Sequence, residues 1–293
     1  MARGTTGAGE APRELPARLV SVALPLASLL LVAIFVLILF PYARFREIAV
    51  ARLGQATGAS VSLDELAGGL SIGGPRVTAT RLSLRWPDRR ELLLERAEIR
   101  PAWSLSWIRG EPALHLELTG SAGSAAGTLW PAASLAFAGR LRGIDLALLP
   151  LDRLADPPPV LGRVDAEIDL RQGSTGPIGS IRFVSSDGSI ALPDLPFDIP
   201  FQEARGELRR SDSGALTVHG FELSGPMLSA TLEGTIAPSA RRDQGALDLQ
   251  GELTAAEPAL RSMMQPYGFR FDSTGAARFH VSGTVSRPLL RQR

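Results

Sequence analysis

Three histidines, one serine between glycines and one short series of carboxylates are the residues of this chain whose types could do chemistry. His115, His219 and His280 are far apart in sequence, and each lies within or beside a two-residue alternation of apolar and polar residues. A zinc site needs three or four ligands brought close together. No ligand motif accompanies these histidines, and the chain has no cysteine. The expectation is therefore packed or solvated strand histidines and no metal site. Gly69-Leu-Ser71-Ile-Gly73 matches G-x-S-x-G, the nucleophile elbow, which works only on a tight turn from strand to helix. Here Gly74-Pro75 and another alternating stretch follow, so a hairpin turn is expected. Asp165, Glu167 and Asp169 alternate with apolar residues and so share one outward face. Paired carboxylates do acid–base work when their surroundings separate their pKa values. On a wet face they keep a strand soluble and guard it against edge pairing. There is no Walker A sequence and no dinucleotide fingerprint. No catalytic, cofactor-binding or metal-ligating residue is assigned, no cofactor is implied, and the chain is expected not to be an enzyme.

The elements carrying these residues are strands. From about Val61 onward period two dominates. Leu114, Leu116 and Leu118 alternate with His115, Glu117 and Thr119, and Val164, Ala166, Ile168 and Leu170 alternate with acidic residues and Arg171. The stretches 228–236, 247–254 and 279–285 repeat the pattern. Turn signals separate them: Gly73-Gly74-Pro75, Gly173 to Pro177, Asp187-Gly188, Asp212-Ser213-Gly214 and Gly225-Pro226. Parallel pairing would need long crossover helices, which are missing, so an antiparallel meander is expected. Inside the strands Gly139, Gly206, Gly234, Gly251 and Gly283 take inward positions, each flanked two residues away by apolar side chains. Glycine there points to a bend, a bulge or the close approach of another backbone, and repeated bends would let a long sheet curl.

Short helices are expected at Leu146 to Leu154 and after Pro258, where Leu260, Met263 and Met264 precede Pro266; both would plug an open end of the sheet. Arg209-Arg210 and Arg241-Arg242 read as hairpin-end charges. Trp86, Trp103, Trp107 and Trp130 read as core, or as a lipid- or partner-facing patch, with Trp103 and Trp107 on one strand face.

At the N-terminus, Leu19 to Phe40 is a run of 22 residues with no charge, interrupted only by Ser21 and Ser28. As a helix it would be about 33 Å long, enough to cross a hydrocarbon core. It lacks the small-residue cleavage site of a signal peptide. Arg3, Arg13 and Arg18 precede it, and Arg44, Arg46 and Arg52 follow it, so flanking charge barely sets its orientation. The expected organisation is a disordered cytoplasmic tail (1–18), a transmembrane helix (19–42), a juxtamembrane amphipathic helix (43–60) and a periplasmic β-rich domain (61–293). Asp156-Pro157-Pro158-Pro159 is a stiff connector and marks a candidate subdivision near 156–162. The amphipathic helix sets Phe45, Ile48, Ala49 and Leu53 opposite Arg46, Glu47 and Arg52 and should stop near Gly54 or Gly58. Its expected role is to cap the sheet, with membrane contact as the alternative.

The chain has 293 residues and formal charge +1, which gives no reason to expect a nucleic-acid partner. All its basic residues other than histidine are arginine, as a GC-rich genome would produce. The fold class expected is mainly β: one N-terminal transmembrane helix, then a curled, mostly antiparallel amphipathic sheet with short capping helices.

Together these features resemble protein N of type II secretion systems, a relative of the AsmA-like envelope proteins. The resemblance rests on the tail, membrane helix and Gly-terminated helix, on Ser224-Gly-Pro-x-Leu228-x-Ala230-x-Leu232-x-Gly234, and on the closing Val281-Ser-Gly-Thr-Val-Ser-Arg-Pro-Leu289. It implies a periplasmic β domain held at the inner membrane, an accessory role in exporting folded proteins across the outer membrane, and other secretion components as partners. The AsmA-like branch implies instead that an apolar β-groove handles phospholipid. Neither implies an active site. A membrane-anchored hydrolase ranks third, since no site meets the geometric requirements of catalysis.

Overall fold

The structure is a computed structural model describing residues 28, 31, 32, 35, 41–71, 74–87, 91–103, 110–131, 135–149, 160–190, 198–239, 244–285 and 287–292. The chain divides into two units, Met1–Tyr42 and Ala43–Arg293. Most of the apolar run Leu19–Phe40 lies outside the described residues. Within it, Ser28, Leu31, Val32 and Phe35 are helical and exposed. Among the described residues no helix is long and apolar enough to cross a membrane.

Helix α1 (Tyr42–Thr57), all but its first residue in the second unit, is rich in Ala and Arg, which favour helix. Gly58 ends it with φ +62°, its amide N donating to the Gly54 carbonyl at 2.9 Å. Among the described residues fourteen strands follow: β1 (Ser60–Ser71), β2 (Gly74–Arg85), β3 (Glu91–Pro101), β4 (Leu114–Gly120), β5 (Gly123–Trp130), β6 (Ala136–Asp145), β7 (Val160–Gly173), β8 (Gly176–Ile190), β9 (Ile199–Arg210), β10 (Leu216–Ser224), β11 (Leu228–Ile236), β12 (Ala246–Ala255), β13 (Ala276–Thr284) and β14 (Arg287–Gln292). A short helix α2 (Pro258–Met264) lies between β12 and β13. The strands form one antiparallel sheet in strict sequence order, with β1 and β14 unpaired to each other, so the sheet is not closed. Two-residue loops join several neighbours, as at the Gly120↔Gly123 and Gly173↔Gly176 pairs.

Register explains Gly139, Gly206 and Gly251, whereas Gly234 and Gly283 take φ +141° and +92°. Gly188, Gly206 and Gly251 each stand directly opposite a phenylalanine: Phe201, Phe183 and Phe279. A Cβ on Gly251 would sit 2.7 Å from the Phe279 ring and 2.3 Å from the Thr231 carbonyl oxygen. On β6, Phe137 lies over both Gly139 and its partner Gly127 in the same way. The missing side chains make room for rings that keep the face apolar.

Two expectations change. Asp187-Gly188 is not a turn: it lies inside β8, where Asp187 takes φ +50° beside a slip in the β7–β8 register. Its turn chemistry makes a bulge instead. The helix expected over Leu146–Leu154 is, where described, one 3₁₀ turn at Leu146–Leu148, capped by the Asp145 carboxylate and left by extended Leu149. The connector 156–159 lies outside the described residues, and β6 and β7 pair on either side of it. The segment after Pro258 is helical as expected, and Leu260 and Met264 are buried.

Candidate functional site: two faces of one sheet

Alternation sorts the side chains into two faces. On one, cations and carboxylates stand directly opposite each other on neighbouring strands: Arg85 with Glu91, Arg140 with Glu167, Glu167 with Arg182, Arg182 with Glu207, Arg205 with Glu222, and Glu252 with Arg278. The longest run crosses β6 to β9. Arg140 meets Glu167 at 3.0 Å, Arg182 reaches Glu167 at 3.2 Å and Glu207 at 3.4 Å, and Arg209 donates to Glu207 at 2.9 Å. A depression of about 600 Å³ lies over this run, between Arg140, Asp165, Glu167 and Arg182. A second cluster spans β2 to β4. There Glu98, buried in the sheet, takes Arg96 at 2.8 Å and Arg76 at 3.6 Å, and Glu117 is shared by Arg100 and His115.

These contacts set the protonation of the face. The Arg96 hydrogen bond holds the Glu98 carboxyl below its ordinary range, against the opposing effect of burial. Glu207 is lowered chiefly by Arg209, and Glu91 by the Ser83 hydroxyl and then Arg85. The guanidinium groups of Arg205 and Arg278 are raised by Glu222 and Glu252. All these shifts favour the charged forms. A general acid or base needs a carboxyl poised near the working pH, and these are pushed away from it.

The residues singled out in the sequence are dispersed. His115 on β4 bonds Glu117 at 3.0 Å, and His280 on β13 bonds Asp248 at 2.8 Å. Exposed His219 stands opposite Glu207. Among the described residues no group of three His, Cys, Asp or Glu could hold a metal. Ser71 ends β1 and pairs with Gly74, its hydroxyl donating to the Gly74 carbonyl, so G-x-S-x-G leads from strand to strand. Glu167 belongs to the ion-pair run, and Asp165 accepts from the Gly143 amide at 2.6 Å, holding the β6 bulge. Arg210 donates to the Thr175 carbonyl, while Arg241 and Arg242 lie outside the described residues. Buried Trp86 donates to the Thr57 carbonyl at the end of α1. Trp103 follows β3 and is 59% exposed, with its indole over Gly74; Trp107 lies outside the described residues. The α1 stripe leaves Phe45 and Ile48 exposed, so α1 meets the sheet through its C-terminal end and through Arg46, which donates to the Asp64 carbonyl. Sequence reading missed the ion-pair runs, whose one signal was Arg and Glu recurring at period two in successive strands.

The other face is mainly apolar, with Ser185, Arg210 and Gln292 as polar interruptions, and is unevenly covered. From β9 to β13 it is closed by Leu260 and Met264 of α2, with Ile199, Phe201, Leu223, Leu253 and Ala255 buried beneath. At the start, Ala59, Leu82, Leu84 and Trp86 form a smaller buried cluster. Between these, Leu114, Leu116, Leu118, Leu129, Leu141, Ile168 and Ile181 are only half-buried, and Ile99 is exposed.

Comparison with family models, with curated proteins and with solved structures finds no match to this chain.

Proposed function

We propose that this chain is an accessory component of a type II secretion system, held in the inner membrane by the run Leu19–Phe40, with its sheet in the periplasm as a docking platform for other secretion components. The observation that carries the reading is the long unclosed sheet, which offers an ion-paired face, a half-covered apolar face and a strand edge to partners. The stretches behind the family resemblance fall on that platform, at the β10–β11 turn and at β13–β14. Two experiments test it. Deleting the protein should leave exoproteins trapped in the periplasm, and protease added to spheroplasts should digest the β domain. Unimpaired secretion, or a protected domain, would overturn the reading.

A second reading is favoured by one specific observation, the half-buried leucines and isoleucines of β4 to β8. In it the sheet curls into a groove that shields acyl chains from water, because apolar surface left wet is costly. Native mass spectrometry of the purified protein separates the two. Bound phospholipid supports the groove, whereas a lipid-free protein that is still required for secretion supports docking alone.

A further inference from the structure

The arginines of the charged face are mostly matched to carboxylates inside the sheet, and those of its last strand are not. Inside the sheet, seven directly opposed pairs set an arginine against a carboxylate on the adjoining strand, Asp145 with Arg163 among them. Arg142 stands apart at the β6 bulge, opposite Ser124, and between β3 and β4 Glu98 faces Glu117 while Arg100 faces His115, with Arg100 and His115 both bonding the Glu117 carboxylate. On β13, Arg278 and His280 are drawn toward Glu252 and Asp248 of β12. The next strand, β14, carries Arg287 and Arg291 on this face, opposite Thr284 and His280. Neither arginine makes an ion pair among the described residues, and exposed Leu289 lies between them. The other face of β14 is occupied: Leu290 lies near Gly268, and the Gln292 side chain bonds both backbone groups of Arg270.

We infer that the β14 edge accepts an extended acidic segment of another protein, added antiparallel as a fifteenth strand, with two carboxylates four residues apart facing Arg287 and Arg291. Addition at a sheet edge supplies backbone hydrogen bonds, and cross-strand charge sets register and choice of partner. A second copy of this chain fits poorly. Pairing β14 with β14 would set arginine against arginine. On β1, Asp64 is already engaged, its carboxylate by Arg81 and its carbonyl by Arg46, and exposed Glu65 has no second carboxylate four residues away, where Val61 and Gly69 stand. The inference deepens the docking reading and rests on it.

The test uses the full chain in detergent and a synthetic peptide alternating Val and Thr with two Glu four positions apart. Binding should appear in fluorescence anisotropy, and hydrogen exchange should slow at the amides of 289–292. The double variant Arg287→Glu/Arg291→Glu should bind at least about tenfold more weakly, from two lost exposed pairs and added repulsion. The same peptide with Lys in place of Glu should bind that variant better than the parent. No binding, protection elsewhere than β14, or affinity indifferent to both reversals would overturn the inference. Secretion distinguishes the two levels. If deletion abolishes export while the double variant exports normally, this edge is wrong and the docking reading stands. If deletion leaves export intact, the docking reading itself falls.

Discussion

The β9–β13 region and the β4–β8 region are built from the same alternation, yet one has a core and the other has a half-wet apolar face. In the first, α2 lays Leu260 and Met264 over Phe201, Leu223, Leu253 and Ala255, and Ala255 has no exposed surface at all. In the second, Leu114, Leu116, Leu118 and Leu141 face the same way without becoming buried. Strand pairing is continuous through both, so backbone hydrogen bonding does not distinguish them. A covering layer does. The buried apolar clusters of this sheet lie in its covered stretches.

Leu260→Ala attacks that contrast hardest. Leu260 is 1% exposed and part of the covered cluster, so truncation should cost about 2–5 kcal/mol through lost transfer energy and a cavity. Leu116→Ala, on the half-buried face, should cost about 1 kcal/mol or less, since the burial lost is partial. Denaturant titration of both variants decides the matter. Equal losses would mean that the β4–β8 face is covered in solution and would remove the distinction.

Gly251→Val and Gly139→Val test whether the Gly–Phe devices depend on the covering layer. Gly251 lies in the covered stretch under Phe279, and Gly139 lies in the open one under Phe137. Each added side chain meets a ring and a backbone carbonyl within 2.7 Å, so each should destabilise by about 1–3 kcal/mol, as overpacking does. Similar losses at both sites, read by thermal unfolding, would show that ring-over-glycine packing belongs to the sheet itself. A much smaller loss at Gly139 would show that the open stretch yields.

Much of the fold is written in the chain because period two and turn residues are local. The antiparallel meander, the stop of α1 at Gly58 and the helix after Pro258 all follow from residues within a few positions of each other. What could not be read depends on register. Nothing near Gly206 says that Phe183 will stand opposite it, and nothing near Glu167 names Arg140 and Arg182 as its neighbours. Asp187-Gly188 misleads for the same reason, because a turn dipeptide inside a long strand becomes a bulge when both flanks continue pairing. The inward glycines were legible as special positions, and their purpose became visible only across strands.

Glu98→Gln carries the comparison to the charged face, where one carboxylate is buried and the others are wet. Because Arg96 holds its folded pKa below the ordinary value of 4.5, Glu98 adds stability that is fully present above that value. That stability is lost as pH falls through the lower folded pKa. The variant should therefore be weaker by about 1–3 kcal/mol at neutral pH, and the gap should close in acid. A gap that persists unchanged well below pH 4.5 would assign the loss to packing rather than charge.

Arg182→Ala gives the smallest expected effect and makes the finest distinction. Arg182 joins Glu167 and Glu207 in the longest ion-pair run, but its side chain is 62% exposed. Exposed pairs are screened and cost side-chain entropy, so one deletion should change stability by less than about 1 kcal/mol, and the change should shrink in high salt. A larger, salt-resistant loss would mean that the run from Arg140 to Arg209 acts as one network and stiffens the sheet where none of the described residues forms a covering layer. The open stretch would then be held from its charged side, and the contrast between regions would lie in which face does the holding.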